Sequence, residues 1–157
     1  MSVQVRLATP AELDEVFALR HQVFVVGQGV PVELERDELD ASADHAVAHL
    51  DGVLVGCGRL VRGRIDEDGR LVPGTSDAVG TVGRMAVAEP ARGTGTGRLL
   101  LDRLVTRAGE LALPAVELHA QVHARGFYER AGFEPFGEAY LEAGIEHVGM
   151  RRPLPRP

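Results

Sequence analysis

The sequence predicts an α/β fold, a mixed β-sheet of about six to seven strands with helices on both faces. Two features lead to it. Patterns of strand and helix follow one another in the order strand, helix, two hairpin strands, strand, long helix, strand, short helix, final strands. Asp51-Gly52 also joins two apolar runs with a pair suited to the left-handed φ values of a two-residue hairpin. That order excludes a barrel and a helical bundle.

Each element has its own reason. "VQVRLA", residues 3–8, alternates apolar and polar side chains as a strand does. Thr9 reads as a helix cap, with Pro10 at the first helical position and Glu12 in the first turn. Leu13, Val16, Phe17, Arg20 and Phe24 recur at helical spacing, so this helix is expected to reach about Val26, where "GQGVP" breaks it. Residues 33–44, "ELERDELDASAD", are acidic and show no clear period. "HAVAHL" and "VLVGCGRLV" are the hairpin strands, "RGRIDEDGRLVPGTSD" is an exposed loop, and residues 78–88 form another strand. Leu101, Leu104, Val105, Ala108, Leu111 and Ala112 make one apolar helical face, which Pro114 is expected to stop. Residues 115–122 read as a strand and "ARGFYERAGF" as a short helix with Gly132 as its left-handed stop. "EPFGEAY" and "IEHVGMR" read as closing strands. The expected organisation is one domain over residues 1–152 and a short tail over 153–157.

Composition narrows the function classes. The net charge of −6 argues against a nucleic-acid partner, which needs clustered positive charge. No apolar run is long enough to cross a bilayer, and "MSVQVRLATP" lacks the basic-then-apolar pattern of a signal peptide, so a cytoplasmic protein without a membrane partner is expected. A single cysteine, Cys57, excludes an internal disulfide and a cysteine-built metal site. Cys57 lies between two glycines in a strand and is expected to be buried and inert. Every basic side chain except histidine is arginine, so an enzyme modifying amines would carry no lysine of its own to modify.

The chemistry concentrates in "MAVAEPARGTGTGRLLLDRL", residues 85–104. A nucleoside-triphosphate loop would require four residues between glycines and then Lys-Ser/Thr, and Gly97 is followed by Arg98-Leu99. A dinucleotide fingerprint requires G-x-G-x-x-G straight after a strand; here the spacing is G-x-G-x-G and "EPAR" intervenes, although Glu117 lies about 20 residues on. A tight loop used only for packing stays open. What all phosphate loops share is present: glycines that let backbone approach a ligand, and a helix N-terminus with unpaired N–H groups and positive dipole. Together these suit phosphate or pyrophosphate, with Arg92 and Arg98 adding charge at the rim.

The pattern Arg92-x-x-Gly95-x-Gly97, after "VGRMAV" and before a long helix, resembles the coenzyme-A loop of the GNAT superfamily of N-acetyltransferases. "AVELHAQVHARGFYERAGF" is similar to that superfamily's second signature, a strand, a tyrosine-bearing helix and a closing "GF". "LRHQVFVVGQGVP" and "YLEAGIEHVGM" resemble a subgroup of bacterial ElaA- and YjcF-like acetyltransferases. The resemblance covers nearly the whole chain. It implies a GNAT fold and an N-acetyltransferase that takes acetyl-CoA as cosubstrate and needs no metal. The acetyl group would pass by direct attack, in a ternary complex, to a primary amine of a small-molecule or peptide acceptor.

Mapped onto this chain, the resemblance places the cofactor where strands 82–88 and 115–122 part. The main chain of Met85, Ala86 and Val87 would bond the pantetheine arm and polarise the thioester carbonyl. The N–H groups of Arg92, Gly93, Thr94, Gly95, Thr96, Gly97 and Arg98 would hold the pyrophosphate. Phe127 and His123 would also touch the cofactor, His123 standing near a position where many relatives carry asparagine. Tyr128 would protonate the departing thiolate, unless it only packs its ring. From below, an amine attacking a thioester generates an oxyanion that fixed N–H groups stabilise, then expels a thiolate that an O–H can protonate.

Strand 115–122 puts Glu117, His119, Gln121 and His123 on one face, where they need partners or a wet cleft. His119 and Gln121, with Glu33 and Glu35, are candidates for the acceptor side. His119, His123, Glu33, Glu35 or a water chain stay open as the base. The run Glu33, Glu35, Asp37, Glu38, Asp40 and Asp44 is either solvated surface or an acidic wall attracting a cationic amine. A non-catalytic acyl-CoA-binding or regulatory module is the alternative to transfer, and a nicotinamide-dependent oxidoreductase a remote third reading. Closing strands often pair in the superfamily, which makes a homodimer compatible with the resemblance.

Overall fold

A computed structural model of the chain describes residues 2–155. Its strands are β1 (Val3–Leu7), β2 (Asp44–Leu50), β3 (Val53–Arg62), β4 (Gly80–Val87), β5 (Ala115–Gln121), β6 (Glu134–Glu142) and β7 (Ile145–Pro153). They hydrogen-bond in the order β1-β2-β3-β4-β5-β7-β6, a seven-stranded mixed sheet as the sequence predicts. β1 is antiparallel to β2, and β7 to both β5 and β6. β4 and β5 are parallel, registering Gly80 with Val116, Thr81 with Glu117 and Val82 with Leu118. Parallel neighbours need a long crossover, and the helix between them supplies it. The α-helices are α1 (Leu13–Arg20), α2 (Val32–Glu35), α3 (Thr96–Glu110) and α4 (Arg125–Arg130). Asp51 and Gly52 have φ of 52° and 80°, the mirror-image turn expected between β2 and β3. Ala143 and Gly144, at 52° and 76°, make a second such turn between β6 and β7.

Two compact units divide the chain, one gathering residues up to Arg59 with Arg84–Leu104, the other Leu60–Gly83 with the residues from Val105 on. In the first unit the predicted helix start is a short 3-10 turn, Pro10–Glu12, before α1 begins. Glu12 accepts a hydrogen bond from the Thr9 N–H at 2.9 Å and is gripped by Arg6 at 2.7 and 2.8 Å. The helix reaches Val26 as expected, but His21–Val26 are wound as a π-helix. Val16, Arg20 and Val23 are its buried side chains, at helical spacing. Val16 and Val23 join Val47, Cys57 and Ala86 in one apolar cluster. Gly56 and Gly58 of β3 permit the close approach of α3 and β4. A Cβ on Gly56 would stand 2.9 Å from Leu100 Cδ1, and one on Gly58 would stand 2.5 Å from Met85 Sδ.

The run over residues 33–44, open between solvated surface and an acidic acceptor wall, instead contributes three acids to an ion network. Arg20 is 1% exposed, so its charge must be matched inside the protein. Its Nε donates to Glu35 Oε1 at 2.5 Å and its Nη1 to Asp40 Oδ1 at 2.6 Å. Nη2 reaches the Glu35 carbonyl at 2.9 Å. Arg59 Nη1 donates to Asp37 Oδ1 at 2.7 Å and Asp40 Oδ1 at 3.1 Å. His45 Nε2 donates to the Asp40 carbonyl at 2.9 Å. Three acids of the run thus fold inward, onto arginines that sequence spacing could not assign to them. Glu33 and Glu38 stay exposed.

The second unit holds β5, β6 and β7, the first half of β4 and the end of α3 from Val105. Val105 and Ala108 of the predicted face are buried, but α3 ends at Glu110, before Leu111 and Ala112. Ala112 takes a left-handed φ of 58°. The Leu113 N–H then bonds the Ala108 carbonyl and the Ala112 N–H the Gly109 carbonyl, both at 3.0 Å. This paired cap ends the helix two residues before Pro114 could act. Gly132, φ 91°, closes α4 the same way, with the Phe133 N–H on the Tyr128 carbonyl at 3.1 Å. β7 extends to Pro153, the first residue assigned to the tail.

Burial alone would raise the Asp40 carboxyl; hydrogen bonds and attraction to Arg20 outweigh it and lower the pKa from 3.8 to about 2. A depressed folded pKa contributes stability that is full above the unfolded value and lost as the pH falls through the folded one. Urea denaturation is therefore expected to show stability falling between about pH 4 and about pH 2. In Asp40→Asn that pH dependence should weaken. At neutral pH Asp40→Ala should cost about 3–5 kcal/mol by leaving Arg20 buried and half-paired.

Candidate functional site

The glycine loop is a turn directly feeding α3. Gly93 and Gly95 have φ of 77° and 85°, a region other residues enter only at a cost, and a Cβ at either would meet nothing within 4 Å. Their glycine identity therefore serves backbone shape and leaves the outer side of the turn open. The Gly95 carbonyl accepts the Leu99 N–H at 3.2 Å, so the helix's first N–H groups follow from Thr96 onward. Thr96 is buried and its Oγ1 lies 2.8 Å from Thr94 Oγ1, while Thr94 Oγ1 donates to the Ala91 carbonyl. The two threonines lock the turn from inside. Arg92, Gly93, Thr94 and Gly95 stay exposed, Gly97 is half-buried, and Arg98 is exposed beside Asp102 at 2.9 Å. The arrangement can receive an anion through main-chain N–H groups at a positive helix end.

The end of β4 adjoins that turn. Arg92 Nε donates to the Val87 carbonyl at 2.9 Å, folding its side chain back along the strand end. Met85, Ala86, Val87 and Arg92, four of the expected cofactor residues, line one cavity of about 290 Å³. The opposite lining is Val23, Phe24, Gly27 and Gln28, from the π-helix and the residues after it. The sequence reads Phe24 as part of a helical face and Gly27 and Gln28 as part of the break after it, and assigns none of the four to a binding site. The only signal in the sequence was the apolar "VFVV" running into "GQG", and that pattern does not distinguish a π-helix from a fraying helix end.

A second cavity, about 310 Å³, is lined by Phe17, His21, Glu35 and Arg36 among others. Glu35, expected on the acceptor side, borders it with its carboxylate already engaged by Arg20. Glu33 is exposed and does not line either cavity.

In the second unit, Phe127 and Tyr128 are half-buried on α4, their rings edge-to-face at 5.0 Å. The Tyr128 ring also meets Phe133 at 6.2 Å, the apolar contact that accompanies this type of helix cap. Burial pushes the Tyr128 phenol above its ordinary value, so it carries its proton at neutral pH. His119 has both ring nitrogens engaged, Nδ1 with the Tyr140 hydroxyl and Nε2 with the Ile65 carbonyl at 2.7 Å. The Nε2–H therefore donates, and Nδ1 accepts from the tyrosine. Gln121 ends β5 opposite His147, and His123 is exposed in the turn that follows. Glu117 is buried and accepts from Arg64 at 2.8 and 2.7 Å and from Arg151 at 3.0 Å, a commitment that leaves no ribose-binding carboxylate there.

Cys57 is fully buried, and burial pushes its thiol up to about 12. Such a thiol stays protonated and is no nucleophile. Among the described residues no group of three or more His, Cys, Asp or Glu could hold a metal ion, and no helix is long and apolar enough to cross a membrane.

The family model described as "Acetyltransferase (GNAT) domain" matches residues 9–154. The chain is 33% identical over 144 residues to protein ElaA of Escherichia coli, covering 90% of this chain and 88% of that protein. It is 31% identical over 142 residues to the uncharacterized N-acetyltransferase YjcF of Bacillus subtilis, covering 90% and 92%. Among solved structures, an acyl-CoA N-acyltransferase from Pseudomonas aeruginosa is 35% identical with a TM-score of 0.77, over 96% of this chain and 98% of that one. Escherichia coli ElaA superposes with a TM-score of 0.79 at 28% identity, over 96% and 99%.

Two measurements check this geometry without any ligand. Gly95→Ala gains no clash, so its cost should be the strain of a left-handed residue, about 1–3 kcal/mol by urea denaturation. A disulfide reagent at neutral pH should label Cys57 only after unfolding; rapid labelling of native protein would contradict its burial.

Proposed function

The chain belongs to the GNAT family of acetyltransferases, and on that basis we propose that it moves an acetyl group from acetyl-CoA to a primary amine of a small-molecule or peptide acceptor, by direct attack in a ternary complex. The family supports N-acetyltransferase activity and the use of an acyl-CoA. The finer reading is supported chiefly by one observation: Met85, Ala86, Val87 and Arg92 line a single cavity, at the strand end from which Arg92 leads into the glycine turn.

In this reading the diphosphate takes the N–H groups of the turn, residues 92–98, and the pantetheine arm runs along Met85, Ala86 and Val87. The amine nitrogen attacks the thioester carbonyl carbon; a C–N bond forms first, and the C–S bond then breaks. Main-chain N–H groups of β4 stabilise the oxyanion between those events. The sulfur leaves as thiolate and Tyr128 gives it a proton; the proton that the amine loses passes to solvent, from which the phenol is restored. Burial raises the phenol, so it keeps its proton at neutral pH and has one to give. Phe127 packs on Tyr128 and limits its ring movement. His123, exposed after β5, and Gln121 complete the residues assigned to the ligands in this reading. His119 acts through its bonds to Tyr140 and Ile65, as a tie.

Calorimetric titration with CoA, followed by CoA release with a panel of amines, tests the reading. Binding and release are expected; binding with no release from any amine would favour a non-catalytic acyl-CoA module. With a true acceptor, Tyr128→Phe should lower kcat about 100-fold or more and alter the alkaline limb of its pH profile, with CoA affinity preserved. Wild-type turnover and pH profile in that variant would remove the acid role.

A further inference from the structure

Among the described residues, four positions other than glycine have a left-handed φ: Asp51, Arg84, Ala112 and Ala143. Three of them stand at hairpin turns or a helix end, where the chain reverses. Arg84, at φ 52°, lies inside β4, immediately before Met85. A long L-side chain reaches this conformation at a cost and persists there only if its surroundings hold it.

The guanidinium of Arg84 supplies that hold. Its Nε donates to the Glu35 carbonyl at 2.9 Å and its Nη2 to the Leu34 carbonyl at 3.2 Å. Asp37 Oδ2 adds an ion pair at 3.4 Å. These acceptors are themselves fixed. The Glu35 carbonyl also receives Arg20 Nη2 at 2.9 Å, and Asp37 receives Arg59 at 2.7 Å. The kink in β4 is thus bolted to a buried ion network through two main-chain carbonyls and a carboxylate. A residue inverted within a strand turns the peptide groups that follow it away from regular alternation. Those that follow are Met85, Ala86 and Val87, on the wall of the 290 Å³ cavity.

We propose that Arg84 is a positioning residue for the acyl-CoA: its guanidinium, by clamping Leu34, Glu35 and Asp37, holds the kink that aims the Met85–Val87 main chain at the pantetheine and thioester. The proposal rests on the reading that those three residues bind the pantetheine arm. It separates two parts of the cofactor. The diphosphate depends on the glycine turn and is indifferent to Arg84; the arm depends on the kink.

The test measures affinities of wild type, Arg84→Ala and Arg84→Lys for CoA and for adenosine 3′-phosphate 5′-diphosphate, which keeps the phosphates and lacks the arm. A lysine keeps the charge, so that variant should fold, but a single ammonium cannot span two carbonyls and a carboxylate as the planar fork does. Both variants are expected to bind CoA about tenfold or more weakly while the arm-less nucleotide changes less than about twofold. Equal loss of both ligands would mean that Arg84 merely supports the fold and would overturn the proposal. Unchanged CoA affinity in Arg84→Lys, or in Arg84→Ala where that variant folds, would overturn it too, with the cofactor reading intact. Wild-type protein that binds the nucleotide but gains nothing from the arm would sink both.

Discussion

A single buried arginine organises the first unit. Taking the Arg20 guanidinium out of water is costly, and the fold offsets that cost by surrounding it with Glu35, Asp40 and a main-chain carbonyl. The same acids then draw in Arg59 and, through Asp37 and the Glu35 carbonyl, Arg84. Residues 32–41, none of whose apolar side chains is buried, are in this way fixed to α1, β3 and β4. Replacing such a network by apolar side chains could be equally stable. What it adds is geometry, since a planar fork with several acceptors tolerates only one arrangement.

That geometry bears on the site because the network ends on β4. The strand carries an inverted residue, then three residues along a cavity, then Arg92 and the glycine turn into α3. Two different devices shape the two ends of this path. At the turn, glycines adopt left-handed φ at no steric cost and leave the outside free. Within the strand an arginine adopts it under restraint.

Legibility in the sequence followed the range of the interactions. The strands, the Asp51-Gly52 turn, the glycine loop opening α3 and the Gly132 stop are local, and local residue chemistry reveals them. The two closing strands are legible but the Ala143-Gly144 turn between them is less so, because alanine is a poor guide to a left-handed residue; there strand pairing imposes the turn. Pro114 marks a helix stop in the sequence, whereas two main-chain bonds close α3 earlier, at an alanine that the sequence does not mark as a cap. The acidic run read as either surface or acceptor wall because its partners are 19 or more residues from Asp40 or Asp37 in Arg20, Arg59 and Arg84. Sequence leaves His119 open between a base and a hydrogen-bonded group because its partners, Tyr140 and Ile65, are likewise remote.

The sequence by itself determined the family, the alternation of elements and the glycine turn. Each depends on spacing and backbone preference, which act over a few residues. Tertiary structure decided which charged groups were free to meet a ligand. A carboxylate or imidazole is functional or structural according to what stands within hydrogen-bond reach, and for Glu35, Asp40, Glu117 and His119 only folding brought those partners in.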